Sequence, residues 1–153
     1  MKQKFQNSFL LACLLFLATY SVGFAQDITE KDKTEQEEVL KEDPRNAAAN
    51  FVLGAYYYNQ ALAPHQETTK MNLVDYMKDG KAFENKKEVL MKKSLPYLEN
   101  YYAITRNGDP RAKEVLKSVY QHLGMIRMQR ISNEDLEKQL QEKLAKVEFK
   151  AVK

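Results

Sequence analysis

The chain has 153 residues, 44% of them hydrophobic and 29% charged, enough for one domain with a packed core. Its formal net charge of +3 comes largely from the N-terminus: of 24 Lys+Arg, the lysines Lys2 and Lys4 lie there, leaving 22 against 21 Asp+Glu. That balance, with Lys and Glu interleaved along the chain, lacks the one-sided basic face of a nucleic-acid binder.

At the N-terminus Lys2 and Lys4 precede an apolar run from Phe9 to Leu17, and Val22-Gly23-Phe24-Ala25 supplies small residues where a signal peptidase reads. This predicts a secretory signal peptide over residues 1–25, and hence a periplasmic or secreted product. The run is shorter than the ~20 apolar residues of a membrane span. Leu10-Leu11-Ala12-Cys13 offers a minor alternative, a lipid anchor at Cys13, which would cut the apolar run near its start. Cleavage after Ala25 removes the only cysteine, so the mature chain has no disulfide.

Residues 26–42 form a charged lead-in without an apolar period. It is predicted to become helical near Thr34, to pack Val39 and Leu40, and to end at Pro44. A helix follows over about Arg45 to Leu62, with Ala49, Val52, Leu53, Tyr56 and Tyr57 on one face and Phe51, Ala55, Tyr58 and Asn59 on the other. Gly54 in its middle costs about 1 kcal/mol of helix propensity and implies that a neighbouring helix comes close. Pro64 is expected to stop it. The segment 63–80 is then a long insertion whose Met71, Leu73, Val74, Tyr76 and Met77 should fold over apolar surface, with a short helix near Met71 to Met77.

A long helix is predicted over about Lys81 to Thr105 with Pro96 inside it. Asn107-Gly108-Asp109-Pro110 then closes one helix and caps the next. The helix from Pro110 to Leu123 buries Ala112, Val115, Leu116, Val119, Tyr120 and Leu123, and Gly124 ends it. Ser132 to Asp135 start the last helix, to about Val147, with a narrow stripe of Leu136, Leu140, Leu144 and Val147. Such a stripe docks as a terminal cap or pairs with another copy.

Leu53-Gly54-x-x-Tyr57 resembles the L-G-x-x-Y core of the tetratricopeptide repeat, a helix-turn-helix unit of about 34 residues. Pro44 falls where a preceding unit's closing proline lies. Ser94-x-x-x-Leu98 resembles the A-x-x-x-F signature of the second helix, and Leu116 and Tyr120 repeat the L and Y of a next unit, with Lys117 in place of the glycine. His122-Leu123-Gly124 looks like that unit's turn. Asn50 and Lys113 stand at the tryptophan position, and the 63–80 insertion interrupts the period. The chain is thus similar to small exported tetratricopeptide-like proteins of bacterial envelopes. The resemblance implies an all-α fold of antiparallel hairpins stacked as a short α-solenoid over 43–131, with a long insertion between the first unit's helices and a capping helix over 132–153.

In that family the first helix of each unit lines a concave, protein-binding groove. On this chain the resemblance assigns it Phe51, Ala55, Tyr58 and Asn59, then Arg111, Glu114, Ser118, Gln121 and His122. The family's clamp for a C-terminal carboxylate is not implied, because Phe51 and Ala55 stand where it has lysine and asparagine. Tyrosine gives large contact area at small entropic cost, which suits an extended or helical peptide segment.

Nothing in the sequence calls for a metal or another cofactor. His65 and His122 lie in different elements with no carboxylate at a ligand spacing, and no phosphate loop, nucleophile elbow or zinc-protease motif occurs. The functional expectation is therefore an exported, non-catalytic scaffold that binds a protein or peptide. Its alternative is a structural protein that self-associates through Leu136, Leu140 and Leu144. A ligand carrier with a tyrosine-lined pocket comes third.

Overall fold

A computed structural model describes residues 28–105, 109–126 and 132–152. Residues 1–25, where a signal peptide is expected, with Cys13 among them, and Asn107, Gly108 and residues 127–131 lie outside the described residues. Among these the protein is all-helical, with five helices, and no strand occurs. They are α1 (Glu30–Glu42), α2 (Ala47–Lys70), α3 (Lys81–Thr105), α4 (Pro110–His122) and α5 (Asn133–Leu144). No helix among the described residues is long and apolar enough to cross a membrane.

Helix α1 begins at Glu30, ahead of the predicted start near Thr34, because Thr29 and Asp32 form a capping box. The Asp32 N–H donates to Thr29 Oγ1 at 3.2 Å, and the Thr29 N–H donates back to Asp32 Oδ2 at 2.8 Å. With Glu30 and Asp32 in the first turn and Lys41 in the last, the charges also follow the helix dipole. The helix buries no residue fully. Val39 and Leu40 are half-buried as anticipated, and the Tyr56 hydroxyl donates to Glu30 from α2.

Helix α2 is capped by Asn46, whose side chain accepts from Ala49 N–H at 3.0 Å. It does not stop at Pro64 but runs through it to Lys70. The proline ring is buried, while Gln60, whose carbonyl loses its partner there, lies on the exposed side where water can replace the missing donor. The expected insertion is therefore mostly more helix. Its extra length carries the chain about 13 Å past Ala61, the last α2 residue in the main core cluster.

That length also keeps the apolar residues that follow away from the core. A single turn, Leu73–Asp75, capped by Asn72, leads into a π-helical turn, Tyr76–Gly80. Its apolar residues do not fold over the core: Leu73, Val74 and Met77 are 74%, 75% and 78% exposed. The turn closes on itself instead, since a Cβ on Gly80 would lie 2.6 Å from the Tyr76 ring.

Helices α2 and α3 form the principal hairpin, antiparallel, with Asn50 opposite Asn100, Gly54 opposite Leu98 and Tyr57 stacked on Tyr97. The close approach expected at Gly54 is present. An added Cβ would stand 2.7 Å from Leu98 Cγ, and Ser94 Oγ donates to the Gly54 carbonyl at 2.8 Å. Helix α3 spans the predicted residues and continues through Pro96.

Asp109 caps α4, accepting from Arg111 N–H at 2.9 Å, with Pro110 in the first turn. The helix buries Ala112, Val115, Leu116, Val119 and Tyr120, while Leu123 is half-buried. It ends in a Schellman motif: Met125 N–H reaches the Tyr120 carbonyl at 2.8 Å, Gly124 N–H reaches Gln121 at 3.1 Å, and Gly124 takes φ 66°. Helix α5 is capped by Ser132 and ends at Leu144 rather than Val147. Its Leu140 and Leu144 join Met91, Leu98, Leu116 and Tyr120 in the core, with Leu136 and Val147 packed against it. Tyr120 is fully buried, and its hydroxyl donates to Glu99 Oε1 at 2.7 Å.

Candidate functional site

A cleft of about 500 Å³ opens beside α2 and α4, lined by Tyr58, Pro110, Arg111, Glu114 and Val115. Three of these, Tyr58, Arg111 and Glu114, are sequence-predicted groove residues. Helical geometry gathers them: positions three and four apart share a face, which sets Arg111 and Glu114 together with Val115 beneath. Tyr58 crosses from α2, and its hydroxyl donates to Ser118 Oγ on α4 at 3.1 Å.

A chain of contacts fixes the rim. The Phe51 ring lies 4.9 Å from that of Tyr101, tilted by 55°. The Tyr101 hydroxyl donates to Asp109 Oδ2 at 2.9 Å. Asp109 also receives Arg111 Nε on Oδ1 and Nη2 on Oδ2, each at 3.1 Å, a bidentate pair that holds the guanidinium plane. Burial and the bond to Asp109 push the Tyr101 phenol up to about 12. Burial pushes the Asp109 carboxyl up, but the bonds from Arg111 and Tyr101 outweigh it and hold it below the usual carboxylate range.

The remaining predicted residues fall elsewhere. Ala55 is buried, Asn59 and Gln121 are half-buried outside the cleft lining, and His122 is exposed at the far end of α4. Phe51 is not in the cleft lining and is linked to its rim through Tyr101 and Asp109. Sequence reading missed Pro110 and Val115 as lining, and Tyr101 and Asp109 as rim. Asp109 was legible only as a helix cap, and its second task depends on which residue of α3 lies beside it.

The cleft offers an apolar wall of the Tyr58 ring, Pro110 and Val115, edged by one positive and one negative side chain, Arg111 and Glu114. That suits an apolar side chain of a polypeptide with polar neighbours. Among the described residues no three His, Cys, Asp or Glu side chains are grouped to hold a metal ion. The side chain of His65 lies outside the described residues. Compared with protein-family models, curated proteins and solved structures, the chain matches none.

Proposed function

We propose that this protein is an exported, non-catalytic helical scaffold that binds a protein or peptide segment in the cleft beside α2 and α4. The observation that carries the reading is the convergence of Tyr58, Arg111 and Glu114 on one apolar-walled cleft. In this reading α2 with α3 form one tetratricopeptide-like unit, α4 opens a second, α5 caps the stack, and the cleft lies along the first helices α2 and α4. The bound segment inserts an aliphatic or aromatic side chain against Tyr58 and Val115, and its flanking polar groups meet Arg111 and Glu114. Export follows from the signal-like residues 1–25. The alternative, self-association through Leu136, Leu140 and Leu144, is less well supported, because Leu140 and Leu144 are already buried within one chain.

The test is capture from envelope extract by the chain 26–153, beside its Tyr58→Glu variant with helix content checked by circular dichroism. The proposal expects one dominant protein bound by the wild type and lost by the folded variant. Equal capture by both would place binding elsewhere.

A further inference from the structure

After α5 the chain runs on without helix, and its burial alternates: Val147 and Phe149 are half-buried, Glu148 and Lys150 exposed. That period of two belongs to an extended segment lying on a surface. Its own main chain makes the polar contact, with the side chain of Asn100. Lys150 N–H donates to Asn100 Oδ1 at 2.8 Å, and Asn100 Nδ2 donates to the Lys150 carbonyl at 2.8 Å. One side-chain amide thus pairs with both polar groups of a single residue, as a neighbouring strand would. Just before it, the Phe149 ring lies under the Arg45 guanidinium, 4.7 Å from ring centroid to Cζ.

Asn100 is pre-oriented. It is 2% exposed, and its Nδ2 also donates to Oδ1 of fully buried Asn50 at 3.2 Å. Asn50 Nδ2 is in turn committed to the carbonyls of Pro44 and Asn46, at 3.1 and 2.9 Å. With that nitrogen engaged, Asn50 presents oxygen to Asn100, and Asn100 must present its own oxygen to the tail. Removing the tail takes from the Asn100 amide its partners on both the oxygen and the nitrogen, so the site favours an occupant. Nothing in this pairing uses the Lys150 side chain. Recognition is of an extended backbone with an aromatic residue immediately before the paired one.

We propose that Asn100, oriented by Asn50 and flanked by Arg45, is a binding site for an extended polypeptide of this kind. The chain's own tail fills it in cis, and a partner segment with the same pattern enters by displacing the tail. This site is separate from the cleft at Tyr58 and does not rest on that reading.

The probe is a fluorescent peptide of residues 146–152, titrated by anisotropy against the full chain and against its Lys150→Pro variant, which lacks the paired N–H. Lys150 is exposed and outside every helix, so the helices should be retained. The variant should bind roughly tenfold tighter than the wild type, the effect of about one net hydrogen bond. Adding Asn100→Ala should abolish the gain, and a peptide bearing Phe149→Ala should bind more weakly. On the unaltered chain, excess unlabelled peptide should speed exchange of the Lys150 amide proton seen by NMR. Equal binding by wild type and Lys150→Pro, binding that survives Asn100→Ala, or a Lys150 amide unmoved by excess peptide would each overturn the proposal.

Discussion

The hydroxyl of Tyr58 donates to Ser118 Oγ at 3.1 Å, and this bond ties α2 to α4 where the candidate cleft opens. Tyr58→Phe should cost about 1 kcal/mol in urea unfolding, the usual net worth of such a bond, and Ser118→Ala about the same. If the bond is the shared cause, the double variant should cost little more than either single one. Fully additive losses would mean that the two side chains act apart.

Gly54 predicts a test of the hairpin. Alanine there should gain about 1 kcal/mol of helix propensity. Its Cβ would nevertheless meet Leu98 Cγ at 2.7 Å and Leu98 N at 3.2 Å, and overpacking of that kind costs about 1–3 kcal/mol. Gly54→Ala should therefore lower the thermal midpoint, and less so in a Leu98→Ala background. A raised midpoint in the wild-type background would contradict the contact.

Much of this packing was legible in sequence because it is local. Helix α3, the Asp109-Pro110 start of α4, the Gly124 stop and the closeness at Gly54 all follow from spacing, capping and side-chain size. Two readings went wrong through tertiary context. In sequence Pro64 reads as a stop, although a proline whose ring is buried and whose lost acceptor faces outward can stay inside a helix. Leu73, Val74 and Met77 read as core cover, although the lengthened α2 carries them away from the core. The cleft was half legible: helical period selects a face of α4, but the placement of Tyr101 beside Asp109 depends on how α3 packs. The site at Asn100 was not legible, since its ligand is a main-chain amide fifty positions away in the sequence.

The stripe on α5 gives a third prediction. Leu140 is fully buried, so Leu140→Glu places a carboxylate in the core and should destabilise the fold by more than about 3 kcal/mol. Light scattering at a temperature where both chains remain folded should give the same mass for each. A stable variant of lower mass would return the stripe to self-association.

Stability should fall at both ends of the pH scale. Asp109 lies below its ordinary 3.8 in the folded chain, so its contribution is present above that value and is lost as pH falls through the folded-state pKa. Tyr101 is raised from 10.0 to about 12, so its contribution is complete below 10 and is lost as pH rises through 12. Burial and the bond to Glu99 raise Tyr120 in the same direction. Urea midpoints should therefore decline below roughly pH 4 and above roughly pH 10. Asp109→Asn should soften the acid decline and Tyr101→Phe the alkaline one. Unchanged slopes in both variants would remove these groups as the cause.

The most direct test of the proposed binding role is photo-crosslinking in envelope extract from two exposed positions, Glu114 on the cleft and Leu73 on the protruding turn. A photoreactive side chain at 114 should yield one dominant adduct that disappears when Tyr58→Glu is added, and one at 73 should not yield that adduct. An adduct from 73 alone, or one from 114 that survives Tyr58→Glu, would contradict the cleft as the binding surface.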